Sequence, residues 1–214
     1  MARPQTDIEA GRVQLMDVVD DLIRKRGATD VSMTELAAAA GMSPSNLYRY
    51  FENKEALLEA VAEKWFAEKI RIMEEVVALD ISARDKMYAF FARRFAVMIA
   101  QYEAEPDLYK SYIEIGQQYF DVVRGYVDLG DHYLSIIVAE AMDQGYFGTL
   151  SIDECVSLIN QMVQPYCNPE AIVLIGTVKL NMAKLSHIID TIFIGLGKDF
   201  VAKDMQVQHI KIVS

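Results

Sequence analysis

Residues 32–57, SMTELAAAAGMSPSNLYRYFENKEAL, carry three helix starts and one helix stop, a spacing that leaves room only for short helices packed closely together. Ser32 followed by Glu35 has the spacing of a capping box, in which the serine hydroxyl accepts from the backbone three residues on and the glutamate reaches back. Gly41 stops the alanine-rich helix that follows. Ser43 caps a second helix with Pro44 at its first position, where a missing N–H costs nothing. Asn53 caps a third, which continues through KEALLEAVAEKWFAEKIRIMEEVVAL. The spacing therefore predicts a helix to residue 40, a turn at Gly41, and a two-turn helix over 44–51.

Ahead of this stretch, a helix is expected over residues 6–26, with Leu15, Val19, Leu22 and Ile23 on its inner face. Lys25 and Arg26 sit in its last turn, where positive charge suits the macrodipole, and Gly27 is its expected stop. Short helix, tight turn and second short helix form the helix-turn-helix pattern, whose second helix enters the DNA major groove. Beyond residue 80 the apolar spacing predicts amphipathic helices near 82–103 (capped by Ser82), 106–126, 128–147, 151–166 and 169–197. Asn168-Pro169-Glu170 is the start of the last. There is no βαβ alternation and no glycine-rich phosphate loop. The expected fold class is all-α, with a three-helix DNA-binding unit over 1–60 and a larger helical unit over 61–214. The tail MQVQHIKIVS alternates weakly, as an exchanged arm or a frayed end would.

The charge balance opposes the usual electrostatic footprint of a DNA-binding protein. The net charge is −10, and residues 1–60 hold seven Lys and Arg against ten Asp and Glu. DNA affinity must then come from a few placed contacts, not from bulk attraction. A log–log salt titration of operator binding is expected to be shallower than for a basic module, because few counterions are released. The N-terminus has no apolar signal segment, and the apolar run 171–196 is broken by Lys179, Lys184, His187 and Asp190. No membrane span is expected, and the chain is read as cytoplasmic, with Cys155 and Cys167 as reduced thiols. His132, His187 and His209 are isolated, so no metal and no cofactor is expected. No nucleophile–base pair is present, which argues against an enzyme.

MTELAAAAGMSPSNLYRYFENKEALLEAV resembles the DNA-binding segment of the TetR family of bacterial regulators, chiefly at Ala37, Gly41, Ser43, Leu47, Tyr48, Phe51, Lys54 and Leu57. The resemblance covers about residues 12–60, and the remainder is similar only in its helical plan. It implies a homodimer on a near-palindromic double-stranded operator, with a ligand cavity in the larger unit. It also implies that Tyr48 touches DNA and that Lys54 contacts phosphate, aided by the N-terminal dipole of its helix. Tyr50 stands where many members have histidine. From the residues themselves, Ser45 and Asn46 lie at the end of the recognition helix that reaches base edges, and asparagine can pair bidentately with adenine. Ser43 and Thr34 can offer hydroxyls to the backbone, and Arg49 can meet a phosphate or a base. Arg12 and Arg3 are lesser candidates, while Leu47 and Phe51, four apart, are expected to be core.

In the larger unit, Tyr112, Tyr119, Tyr126 and Tyr133 recur every seven residues, as core face or as cavity lining. Phe91, Phe95 and Met98 form a stripe of the same double meaning, and Trp65 lies on the helix that joins the two units in the family. Trp65, Phe91, Phe95, Met98, Tyr112, Tyr119 and Tyr133 are the candidate ligand residues, for an apolar or aromatic effector. Arg93, Arg94 and Arg124 could neutralise a carboxylate but are expected to be exposed. Ile172, Ile175, Val178, Met182, Leu185, Ile189 and Phe193 make the last helix apolar nearly all round, which fits burial between two subunits, the alternative being complete burial within one subunit. The resulting expectation is a ligand-responsive regulator, a repressor before an activator. The alternative is an architectural or interaction protein of the same fold without a ligand.

Overall fold

The computed structural model describes residues 5–26, 31–118, 120–148 and 150–196. Arg3, Gly27, Tyr119 and the tail 198–214 lie outside the described residues. Among the described residues the helices follow in order: α1 Gln5–Arg26, α2 Met33–Ala39, α3 Pro44–Leu47, α4 Lys54–Val77, α5 Ala83–Ala104, α6 Pro106–Gln118, α7 Phe120–Asp143, α8 Ile152–Cys167, α9 Pro169–Ile175 and α10 Met182–Gly195. No strand occurs among the described residues. No described helix is long and apolar enough to cross a membrane.

The caps form where the side chains require them. Ser32 Oγ accepts from Glu35 N at 3.3 Å, and the Ser32 backbone N–H donates to Glu35 Oε2 at 3.2 Å. Asn53 Oδ1 accepts from Ala56 N at 2.8 Å. After α2, Gly41 takes φ 66°. Its N–H donates to the Ala38 carbonyl and that of Met42 to the Ala37 carbonyl, a left-handed stop that glycine adopts without strain. The expected second turn of the recognition helix is tighter than an α-helix. Beyond Leu47, Arg49 N and Tyr50 N bond three residues back, to Asn46 O at 3.2 Å and Leu47 O at 2.9 Å.

Two expected boundaries move. The boundary expected between 126 and 128 falls inside α7, so Gly125 and Gly130 lie within that helix. The helix expected over 169–197 breaks at Gly176, whose φ 79° and ψ 158° suit no residue with a side chain. After a turn, Asn181 caps α10 by accepting from Lys184 N at 3.0 Å.

Two buried clusters fill the molecule. One joins α5, α7, α8, α9 and α10 around the C-terminal half of α4. The other joins α1, α2 and α3 with the start of α4, and it takes in Tyr112 and Ile115 from α6. The first unit's core is therefore not closed at residue 60; α6 completes it.

Candidate nucleic-acid interface and adjoining cavity

The expected DNA-contact side chains are exposed in part and half-buried in part. Leu47 and Phe51 are buried in the core, which holds the segment against α1 and α2. Thr34, Ser43, Ser45 and Arg49 are exposed, and Tyr48 is 52% exposed although large and aromatic. Ser43 Oγ accepts from Asn46 N at 3.3 Å and lies 3.1 Å from Ser45 Oγ, so its cap role is met. Asn46, Tyr50 and Lys54 are half-buried. Tyr50 is seated against α1: a Cβ added at Gly11 would stand 2.4 Å from Tyr50 Cε1. Its phenol thus has a packing role that the sequence did not suggest. The Arg12 guanidinium lies 5.2 Å from the Phe51 ring centroid, beside the same segment.

Three acids of α1, Asp17, Asp20 and Asp21, are engaged in its C-terminal half. Lys64 Nζ donates to Asp17 Oδ1 at 3.0 Å and to Asp20 Oδ2 at 2.8 Å. Arg24 binds Asp21 at 2.7 Å and Glu105 at 2.5 Å, and these bonds hold its guanidinium above its ordinary pKa, the Glu105 bond foremost. Asp17 to Asp21 lie about 9–15 Å from Gly11 along a helix rising 1.5 Å per residue. Much of the negative charge of α1 therefore sits at the end away from the recognition segment.

An apolar cavity of about 200 Å³ lies between α4, α6, the start of α7 and the α8–α9 junction. Val61, Trp65 and Phe66 line it from α4, Tyr112 and Gly116 from α6, and Phe120 from α7. Its polar groups include Gln117, whose side chain donates to Glu170. Trp65 and Tyr112, both candidate ligand residues, meet here ring to ring at 4.3 Å and 18°. Phe91, Phe95 and Met98 are in the core, at 1%, 0% and 5% exposure, and do not line this cavity. Tyr133 also lies elsewhere, its hydroxyl 3.3 Å from Glu74. Phe66 and Phe120 were not anticipated. Phe66 follows Leu58 and Ala62 at helical spacing, a signal present in the sequence.

Tyr112 also joins the cavity to the DNA-binding unit. Its hydroxyl donates to Asp20 Oδ1 at 2.5 Å, and Asp20 is only 9% exposed. Burial first, and Asp20 second, push the phenol above its ordinary pKa.

The proposed dimer residues divide. Ile172, Leu185, Ile189 and Phe193 are buried in the chain's own core, because α9 and α10 pack on α5 and α8. Met182 is half-buried, while Ile175 and Val178 are 42% and 90% exposed. Leu174 and Ile194, 80% and 81% exposed, add to the unpartnered apolar surface. Arg93 and Arg124 are exposed as expected, and Arg124 pairs with Asp121 at 2.7 Å. Arg94 is not: it is 8% exposed. No His, Cys, Asp and Glu cluster able to hold a metal occurs among the described residues.

Residues 15–61 match the family model described as bacterial regulatory proteins, tetR family. Residues 83–184 match that of the tetracyclin repressor-like C-terminal domain. The fatty acid metabolism regulator protein of Bacillus subtilis (strain 168) is 25% identical over 116 residues, 52% of this chain and 60% of that one. The HTH-type transcriptional repressor KstR2 of Rhodococcus jostii (strain RHA1) is 24% identical over 108 residues, 49% of this chain and 53% of that one. The chain thus spans little more than half the length of these curated relatives. The solved structure of the transcriptional regulator FadR from Bacillus subtilis in complex with stearoyl-CoA shares the fold. Its TM-score is 0.58 at 18% identity, covering 86% of this chain and 98% of that one.

Proposed function

The chain belongs to the TetR family of bacterial transcriptional regulators, and on that premise we propose that it is a repressor, released from a near-palindromic operator by a small molecule bound beside α4. The observation that carries this reading is the hydrogen bond from Tyr112, in the cavity wall, to Asp20 of α1. A molecule entering the cavity presses on α6, and α6 is tied to α1 at Tyr112–Asp20 and, just ahead of its first turn, at Glu105–Arg24. Displacing α1 moves the recognition segment, because Phe51 and Tyr50 pack against it. Two copies carry two such segments, whose separation must match half-sites about 34–36 Å apart. The exposed apolar residues Leu174, Ile175, Val178 and Ile194 support a homodimer formed through the region of α9 and α10. On the DNA side, Ser45, Tyr48 and Arg49 have the exposure a reader needs, as have Thr34 and Ser43 for the phosphate backbone, while Asn46, Tyr50 and Lys54 are half-buried.

Release requires that the effector bind the two conformers unequally, since equal binding shifts nothing. The apolar lining supports an effector with an apolar body, as does the likeness to a regulator solved with stearoyl-CoA. A cavity of about 200 Å³ lies below the usual ligand range, so the effector is small or the cavity widens around it.

Tyr112→Phe tests the coupling. The ring still fills its place and Asp20 keeps Lys64, so stability should fall by only about 1–2 kcal/mol. The operator affinity of the effector-free protein should hold, while the effector-driven loss of affinity shrinks by about 5- to 30-fold. Fluorescence anisotropy on a labelled operator, with and without effector, reads both quantities. An unchanged effector response would remove Tyr112 from the pathway.

A further inference from the structure

We propose that Arg94 is the anion-binding end of the effector site, so that the effector is a carboxylate carried on an apolar body; this rests on the regulator reading above. Arg94 projects from α5 into the core and lacks any charged partner among the described residues. Its Nη1 lies 3.3 Å from Met73 Sδ and its Nη2 3.7 Å from Cys167 Sγ, both weak acceptors. Its Nε is buried with no acceptor. The guanidinium is otherwise sandwiched by rings, 4.5 Å from Phe90, 5.7 Å from Phe91 and 6.0 Å from Tyr126. Arginine cannot shed its proton, so this charge stays buried and uncompensated.

A second cation lies close by. Lys69 is 2% exposed, and its Nζ donates only to neutral oxygens, Trp65 O at 2.8 Å and Gln101 Oε1 at 2.9 Å. Burial lowers its pKa to about 7; Glu68 opposes that shift and the charge of Arg94 adds to it. Elsewhere the same fold neutralises a buried cation directly: Lys86, 6% exposed, meets Glu140 Oε1 at 2.7 Å. Arg94 and Lys69 lack such an acid. A built-in structural cation has no need of an unmet Nε, whereas a receptor for an anion does.

The geometry selects a carboxylate. The Nε–Nη2 edge of a guanidinium matches two carboxylate oxygens, and on Arg94 that edge holds only an orphan nitrogen and a sulfur contact. Arg94 does not itself line the apolar cavity, but its neighbours adjoin the lining. Tyr126, over the guanidinium, stacks at 3.9 Å and 9° on Phe66, which lines the cavity. Trp65, beneath Lys69 Nζ at 4.5 Å, lines it too, and Cys167 adjoins the lining residue Asn168. A tilt of the Phe66–Tyr126 pair joins cavity and cation, so that the apolar body stays in the cavity and the carboxylate meets Arg94.

Titration calorimetry on the full chain decides the matter with two matched probe pairs, octanoate against octanol and phenylbutyrate against phenylbutanol. At least one acid should bind wild type about thirtyfold or more tightly than its alcohol, the scale of a buried charge pair. Arg94→Met should erase that preference while leaving alcohol binding in place, and Arg94→Lys should keep part of it. If Arg94→Met does not fold, the acid–alcohol ratio in wild type and its reduction in Arg94→Lys decide alone. Equal binding of acid and alcohol, binding of neither, or undiminished acid preference in the variants would overturn the site. Operator binding by the same preparations separates the two readings. Intact operator binding without acid preference removes only the carboxylate site. Acid preference without operator binding keeps the site and removes the regulator.

Discussion

Replacing Lys69 with methionine should stabilise the protein most at low pH, with the gain shrinking as pH rises. The folded-state pKa of Lys69 is lowered to about 7 from an ordinary 10.5, with burial the main cause. Below pH 7 both folded and unfolded states are protonated, and the full cost of the buried charge is present. Between the two pKa values the unfolded chain binds the extra proton, so wild-type stability climbs with pH. From about pH 7 to about pH 9 the climb amounts to about 2.5 kcal/mol. Above that window the rise is opposed, because Cys167, Tyr109 and Tyr112 are held above their ordinary pKa values by burial and ionise first in the unfolded chain. In Lys69→Met the climb should vanish. The methionine keeps the packing on Trp65 and Phe66 but leaves Gln101 Oε1 without its donor. Urea melts at pH 6, 7.5 and 9 check the slope; parallel pH profiles for wild type and variant would refute a buried, proton-shedding Lys69.

Phe147→Ala should cost about 3–5 kcal/mol, the range for emptying a buried aromatic site. Phe147 is fully buried, with its ring 5.0 Å from that of Phe193, and its N–H donates to Leu196 O at 3.1 Å. It ties the α7–α8 connection to the end of α10. It does so at φ 59°, a left-handed conformation that a non-glycine residue adopts only when its surroundings insist. That backbone yields an inverted ranking. Phe147→Gly, though smaller, should be more stable than Phe147→Ala by about 1 kcal/mol, because glycine occupies the conformation without strain. Thermal unfolding of the three proteins gives the order, and alanine above glycine would show that the backbone relaxes once the ring is gone.

Local chemistry was legible in the sequence because it depends on neighbours. Ser32, Ser43, Asn53, Ser82 and Asn168 cap helices as their spacing demands, and Leu47 with Phe51 fills the core behind the recognition segment. Conformation at single glycines was harder to read. Gly176 in an apolar run fits a close helix crossing as well as a break, and only its backbone angle tells them apart. The aromatic stripes gave a face but not its destination: Tyr112 reached the cavity, while Phe91, Phe95 and Met98 went into the core. The same ambiguity ran through α9 and α10, where Leu185 and Ile189 are inside and Val178 is outside. The contacts that carry the mechanism join distant parts of the chain. Tyr112 and Asp20 are 92 residues apart, and no local pattern pairs them. The burial of Arg94 runs against the ordinary habit of arginine, which is why the sequence placed it at the surface.

The most direct test of the account is selection of bound duplexes from a random DNA pool by the full chain, with Tyr48→Ala as the control. The account predicts one enriched motif with two inverted half-sites, centres about one helical turn or a multiple apart, and its loss in the variant. No enriched motif from folded, dimeric protein, before and after removal of bound small molecules by mild unfolding and refolding, would contradict it.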